Sequence, residues 1–141
     1  MANELVLVRQ YENPVPYVVA DGTGIEKGAL LKLTTGNTAI ISSGANDRIA
    51  GVAAREKVAS DGRTELAAFI RGDFLAYISG GCSAGDALSA AATNTYPNFL
   101  TSVANALASG ACIVGYALED ATNGQQKLIR VNVGGGGGQI S

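Results

Sequence analysis

The sequence has no His and no Trp, and only one Met, two Cys and three Pro in 141 residues. Without His there is no Ser-His-Asp or Cys-His nucleophile system and no imidazole ligand for zinc. Cys82 and Cys112 allow one disulfide at most and cannot close a structural zinc site alone. They read as small buried thiols in a reducing compartment. Charged residues make up 16% of the chain, below the usual share of about 25%. The net charge of −2 provides no basic field to draw in nucleic acid. No apolar run approaches the roughly 18 residues of a membrane span. Met1-Ala2-Asn3-Glu4 has no basic leader, and Glu4 to Val8 is too short for the apolar heart of a signal peptide. The expectation is a protein made in the cytosol, with neither nucleic acid nor membrane as partner.

What is abundant is small and apolar. Hydrophobic residues make up 47%, and Gly occurs 19 times, well above a usual share of about 7%. A single domain of this length buries about two thirds of its unfolded surface, enough for a core. Three segments are expected. Residues 1–20 read as an extended N-terminal arm: Leu5-Val6-Leu7-Val8 is β-prone, Asn13-Pro14-Val15-Pro16 forces extended backbone, and Tyr17-Val18-Val19-Ala20 is a second β-prone run. The prolines restrict these runs to sheet edges. Residues 21–133 alternate short β-rich runs, among them Ala29 to Thr34, Thr38 to Ser42, Arg48 to Val58 and Phe74 to Ile78, with turns such as Asp21-Gly22, Thr35-Gly36-Asn37 and Asp61-Gly62. That pattern predicts an all-β fold, a small β-barrel or β-sandwich. Residues 134–141 begin with five glycines and read as a flexible tail. Asn98 to Ala108 is ambiguous: Phe99, Leu100, Val103 and Leu107 fit one helical face, while Thr101 and Gly110 fit a loop with a short strand.

A weak internal duplication runs through the middle segment. Lys27-Gly28-Ala29-Leu30-Leu31 resembles Ala84-Gly85-Asp86-Ala87-Leu88, and Ile49-Ala50-Gly51-Val52-Ala53 resembles Ile113-Val114-Gly115-Tyr116-Ala117. The glycine offsets are 57 and 64, so the copies differ by an insertion.

Sites of chemistry are not found. Gly134 to Gly138 lacks the Lys-Ser/Thr and the helix start of a phosphate loop. Arg71-Gly72-Asp73 contains an adhesion tripeptide, but Gly and Asp here read as a turn between strands. Glu119-Asp120 would point to opposite faces of a strand, and reads as a solvated strand end. No calcium-loop spacing occurs, and eight aromatics without basic interleaving make a poor base-stacking platform. No catalytic, cofactor-binding or metal-binding residue is nominated, no cofactor is expected, and the chain does not read as an enzyme.

The order of the repeated phrases carries a resemblance. Val19-Ala20-Asp21-Gly22-Thr23-Gly24-Ile25-Glu26-Lys27-Gly28-Ala29-Leu30-Leu31-Lys32-Leu33-Thr34 resembles the opening of tailed-phage capsid cement (head decoration) proteins. Ile49 to Ala53, Ser83 to Leu88 and Ile113 to Glu119 are similar to that family's later phrases. The resemblance covers about residues 17 to 133. It implies a structural virion protein on the capsid outer surface, assembled in the host cytoplasm, with the major capsid protein and its own copies, as a homotrimer, for partners. Another virion component, such as a head fibre base or tail protein, and a β-type receptor- or sugar-binding module are the alternatives. A dUTPase-like trimeric hydrolase shares the length and glycine-rich tail, but its arm motif is missing, because no Arg or Phe stands among the glycines. Within the arm, Leu5, Val6, Leu7, Val8, Tyr17, Val18 and Val19 are the expected partner-binding residues, through strand addition to a neighbour.

Overall fold

The computed structural model describes residues 3–42, 48–91, 98–102, 112–133 and 138–139. Among them there is no helix, and the strands are β1 (Val6–Gln10), β2 (Val15–Val18), β3 (Leu30–Leu33), β4 (Ala39–Ile41), β5 (Ile49–Ala53), β6 (Glu65–Phe69), β7 (Arg71–Ser79), β8 (Ala87–Ala90), β9 (Leu100–Ser102), β10 (Cys112–Ala117), β11 (Gln126–Asn132) and β12 (Gly138–Gln139). Strands β7-β11-β10-β8-β9 form an antiparallel run, and β9 returns to β7 through the parallel pairs Ile78–Leu100 and Ser79–Thr101. That return closes a five-stranded barrel and leaves the starts of β7 and β10 to take a further strand each. β1 adds to β7 near its start, and β12 adds to β10. The other five strands form an antiparallel sheet, β2-β6-β5-β3-β4. It curls the same way but meets itself through a single parallel bridge, Val18–Thr38.

The two halves are one unit used twice. Strands β2 to β6 and β7 to β11 follow the same order and the same senses of pairing. The register repeats as well: Leu31 faces Gly51 as Leu88 faces Gly115, with a register shift beside each pair. Gly28 donates to Ala53 O and Gly85 to Ala117 O, both at 2.8 Å. Ile25 bridges Lys57 where Cys82 bridges Ala121. Gly28 and Gly85 both hold positive φ, 88° and 92°, so each turn into the second strand of a repeat needs glycine. The weak sequence duplication is therefore a full structural one, with the register equivalences β2–β7, β3–β8, β4–β9, β5–β10 and β6–β11.

The repeats diverge where they are stapled. The Lys57 side chain is completely buried in a loop of the first repeat. Its Nζ donates to Asp21 O at 2.7 Å, Val58 O at 3.1 Å, Asp61 Oδ1 at 3.0 Å and Asp21 Oδ1 at 3.3 Å. Backbone donation from Arg63 and the Lys57 ammonium hold the Asp61 carboxyl below its ordinary range. In the second repeat Ala121 takes the place of Lys57, and a neutral Gln125 accepts from Thr122 N as Asp61 accepts from Val58 N.

Two cores result. Val19, Ala29, Leu31, Ala50, Ala53 and Ala68 belong to the small interior of the first repeat. The larger core fills the barrel with Phe74, Ile78, Leu88, Leu100, Ile129 and Val131, among others. Leu30, Ile49, Val52 and Phe69 join that larger core from the first repeat. β5, at the middle of the first sheet, is thus buried on both faces, IAGVA, without alternation.

Several expectations meet the structure differently. Gly72-Asp73 is not a turn: it lies inside β7, and β6 and β7 are separated by Ile70 alone. Arg48 to Val58 is not one strand, since β5 ends at Ala53 and Lys57 makes only the isolated bridge. Of Asn98 to Ala108, residues 98–102 carry β9, and the remainder lies outside the described residues. Of the tail, residues 138–139 pair with β10, and the others lie outside the described residues.

Candidate docking face

One outward face, across β1, β7, β11 and β10, gathers a carboxylate, two guanidiniums and two phenols. At its centre is Asp73, whose side chain is completely buried although it points away from the barrel interior. Inward positions of β7 alternate with it, Gly72, Phe74, Ala76 and Ile78 being buried. Two guanidiniums and a phenol cover the carboxylate. Arg130 of β11 makes a fork, Nε to Oδ1 at 2.8 Å and Nη2 to Oδ2 at 3.3 Å. Arg9 of β1 donates from Nε to Oδ2 at 2.6 Å, and the Tyr11 hydroxyl donates to the same oxygen at 2.5 Å. Tyr11 in turn accepts from Arg130 Nη2 at 2.8 Å, and the Tyr116 hydroxyl of β10 accepts from Arg130 Nη1 at 3.2 Å. Arg130 also lies 5.2 Å from the Tyr11 ring centroid and 5.9 Å from that of Tyr116, within cation–π range.

The electrostatics follow from these contacts. The Arg130 hydrogen bonds come first in holding the Asp73 carboxyl down at about 2, against 3.8 ordinarily; burial opposes them, and Tyr11 and Arg9 add to them. The same contact raises Arg130 further above its ordinary value. With one carboxylate and two guanidiniums the cluster carries a net positive charge, and Tyr11 and Tyr116 supply exposed aromatic surface beside it. This is a preorganised, amphipathic patch. Among the described residues no group of three or more His, Cys, Asp or Glu could hold a metal ion.

A one-residue irregularity in β1 builds the patch. Leu7 pairs with Phe74 and Arg9 with Asp73, so one extra residue sits between them. Without that bulge Leu7 and Arg9 would share a face. With it, Leu7 packs against the barrel core and Arg9 reaches the outward carboxylate.

The expected partner-binding residues are divided by the fold. Leu5 and Val19 are buried, Leu7 and Tyr17 are half-buried against the two cores, and Val6, Val8 and Val18 are exposed. The Tyr17 hydroxyl donates to Ala50 O at 3.0 Å, and burial pushes its pKa up. Pro14 and Pro16 stand on the free edge of β2. Val19 N–H donates to Thr64 O on the β6 side and Val18 N–H to Asn37 O on the other, so residues of Val18's parity face away from β6. Proline there removes the donors a further strand would use.

No protein-family model matches the chain, and no curated protein is significantly similar to it in sequence. A solved structure is similar in fold. The head fiber gp8.5 N base of bacteriophage phi29 superposes with a TM-score of 0.53 at 15% identity, over 90% of this chain and 98% of that one. Neither repeat alone could supply that coverage, so the likeness extends over both repeats.

Neither the sequence periodicity nor the turn rules pointed to this patch. Asp73 sits 64 residues from Arg9, 62 from Tyr11 and 57 from Arg130, beyond the reach of any local pattern. The available signal was β-strand continuity: Phe74 to Ile78 reads as strand, and extending it backward through Asp73 would have placed a carboxylate inside a sheet.

Proposed function

We propose that this chain is a structural component of a phage virion, seated on the head as the base of a projecting fibre or similar appendage. The observation that carries the reading is the fold likeness to the phi29 head fibre base, which runs nearly the full length of both chains. The fold is also suited to the task. Two closely joined β units, one closed into a barrel and the other with prolines at the free edge of β2, make a rigid footing. The role is mechanical, and binding energy replaces chemistry.

The major capsid protein is the proposed partner, and a homotrimer at a threefold or quasi-threefold position is the proposed form. Three weak contacts engaged together then bind the assembled shell in preference to free subunits. The exposed side chains Val6, Val8 and Val18 are the proposed contact residues of the N-terminal region, while Leu5 and Val19 serve the chain's own core. Immunogold labelling and quantitative mass spectrometry of purified virions test the assignment. A fibre base is expected at the head surface at the number of its appendages. A coat covering every capsomer would favour the cement role, which the order of the repeated sequence phrases supports. Absence from the particle would reject both.

A further inference from the structure

We propose that the outward face of the second repeat, centred on Tyr116 and Arg130, docks head to tail on the Val15–Asn37 side of the first repeat of a second copy of this chain. Leu30, Ile49, Val52 and Phe69 point out of the first repeat and are buried in the core of the second. Pairing register makes their equivalents in the second repeat Ala87, Ile113, Tyr116 and Arg130. None of these four is buried, and Tyr116 is exposed. The receiving side is also identifiable. The Phe69 ring meets Phe74 edge-on at 5.9 Å, and the Leu30 N–H donates to the buried Asn98 Oδ1 at 2.9 Å. Register equivalents of Phe74 and Asn98 in the first repeat are Val15 and Asn37, which are half-buried and exposed.

One chain therefore uses this interface once and leaves one half of it open at each end. That is the condition for a heterologous contact, which closes into a ring when the rotation allows. Applying the relation between the repeats once more seats a second molecule's first repeat on this molecule's second. The open donor face differs from the buried one in the direction such a contact needs. A face that must also meet water replaces Val52 and Phe69 with Tyr116 and Arg130, residue types enriched in reversible interfaces. Asp73 fixes the Arg130 side chain before contact, which lowers the ordering cost of binding. The inference rests on the self-association proposed above and adds which surfaces meet and in which polarity.

Tyr116→Glu and Asn37→Arg test it, each on the full chain, with sedimentation equilibrium and native mass spectrometry. Both positions are exposed, and circular dichroism with thermal melts confirms that each variant is folded. Wild type is expected to form a closed oligomer, and each variant alone to associate at least about thirtyfold more weakly. A one-to-one mixture of the two is expected to recover a heterodimer and nothing larger. Tyr116→Glu keeps an intact receiving side and Asn37→Arg an intact donor face, so only one productive contact exists. Wild-type assembly by either variant, or a mixture of folded variants that stays monomeric while wild type assembles, overturns the docking geometry alone. Wild type that is monomeric at every concentration overturns the self-association itself and the geometry with it.

Discussion

At the residue scale, two buried charges determine most of what can be tested. Asp73 has its carboxyl at about 2 in the fold against about 3.9 in an unfolded chain. A folded value below the unfolded one stabilises above the unfolded pKa and is lost as pH falls through the folded one. The carboxylate thus contributes on the order of 2 kcal/mol above about pH 4, vanishing towards pH 2. Urea unfolding of wild type and Asp73→Asn at pH 7, 4 and 2.5 should show a gap that narrows steadily with acid; a constant gap would refute the linkage. Lys57→Met should destabilise by about 2–3 kcal/mol, because it leaves the Asp21 and Asp61 carboxylates facing each other without their cation. The loss falls below that of a fully buried pair, since those two side chains keep 41% and 26% of their exposure. Denaturant midpoints at constant slope measure it. A variant as stable as wild type would mean that water replaces the ammonium at no cost.

At the scale of elements, the repeat makes paired predictions. A Cβ on Gly115 would lie 1.8 Å from Arg130 O, and one on Gly51 would lie 2.5 Å from Phe69 O. These equivalent close approaches of the fourth and fifth strands leave no room for a side chain. Alanine at either should cost about 1–3 kcal/mol or more by overpacking. The turn glycines behave differently. A Cβ on Gly28 would meet Leu5 O at 2.4 Å, whereas one on Gly85 meets nothing within 4 Å. Both are strained by positive φ, but Gly28→Ala should be clearly the more damaging in thermal melts, because it also dislodges the N–H of Leu5 from Gly28 O. Equal losses would show that β1 entry is not held there. The sequence made these elements legible where a strand was flanked by Gly and Asn, as in β3, β4 and β8. It misled at β7, where Gly72-Asp73 has turn composition inside a strand. A buried carboxylate is stable there only because three partners arrive from β1, the turn after it and β11. A residue's neighbours in the chain carry no trace of such partners.

At the scale of the whole molecule, the shared core governs behaviour. Leu5, Leu30, Ile49, Val52 and Phe69 complete the core of the second repeat, so neither half keeps its packing without the other. Calorimetry of the monomeric Tyr116→Glu variant should therefore give one transition with equal calorimetric and van't Hoff enthalpies. Two separated transitions would mean that the repeats fold as independent units. Sequence alone determined that this chain is all-β, rich in turns, and without a His-activated nucleophile or an imidazole ligand for zinc, because those properties follow from residue types and their spacing. It also carried the duplication, through glycines that every copy of the unit needs at the same two places. Only the tertiary structure decided that one sheet closes fully while its twin closes by a single bridge, that an acidic residue lies buried under two arginines, and which face of each repeat is covered. Those outcomes depend on contacts between residues some 60 positions apart, whose energy exists only once the backbone has brought them together.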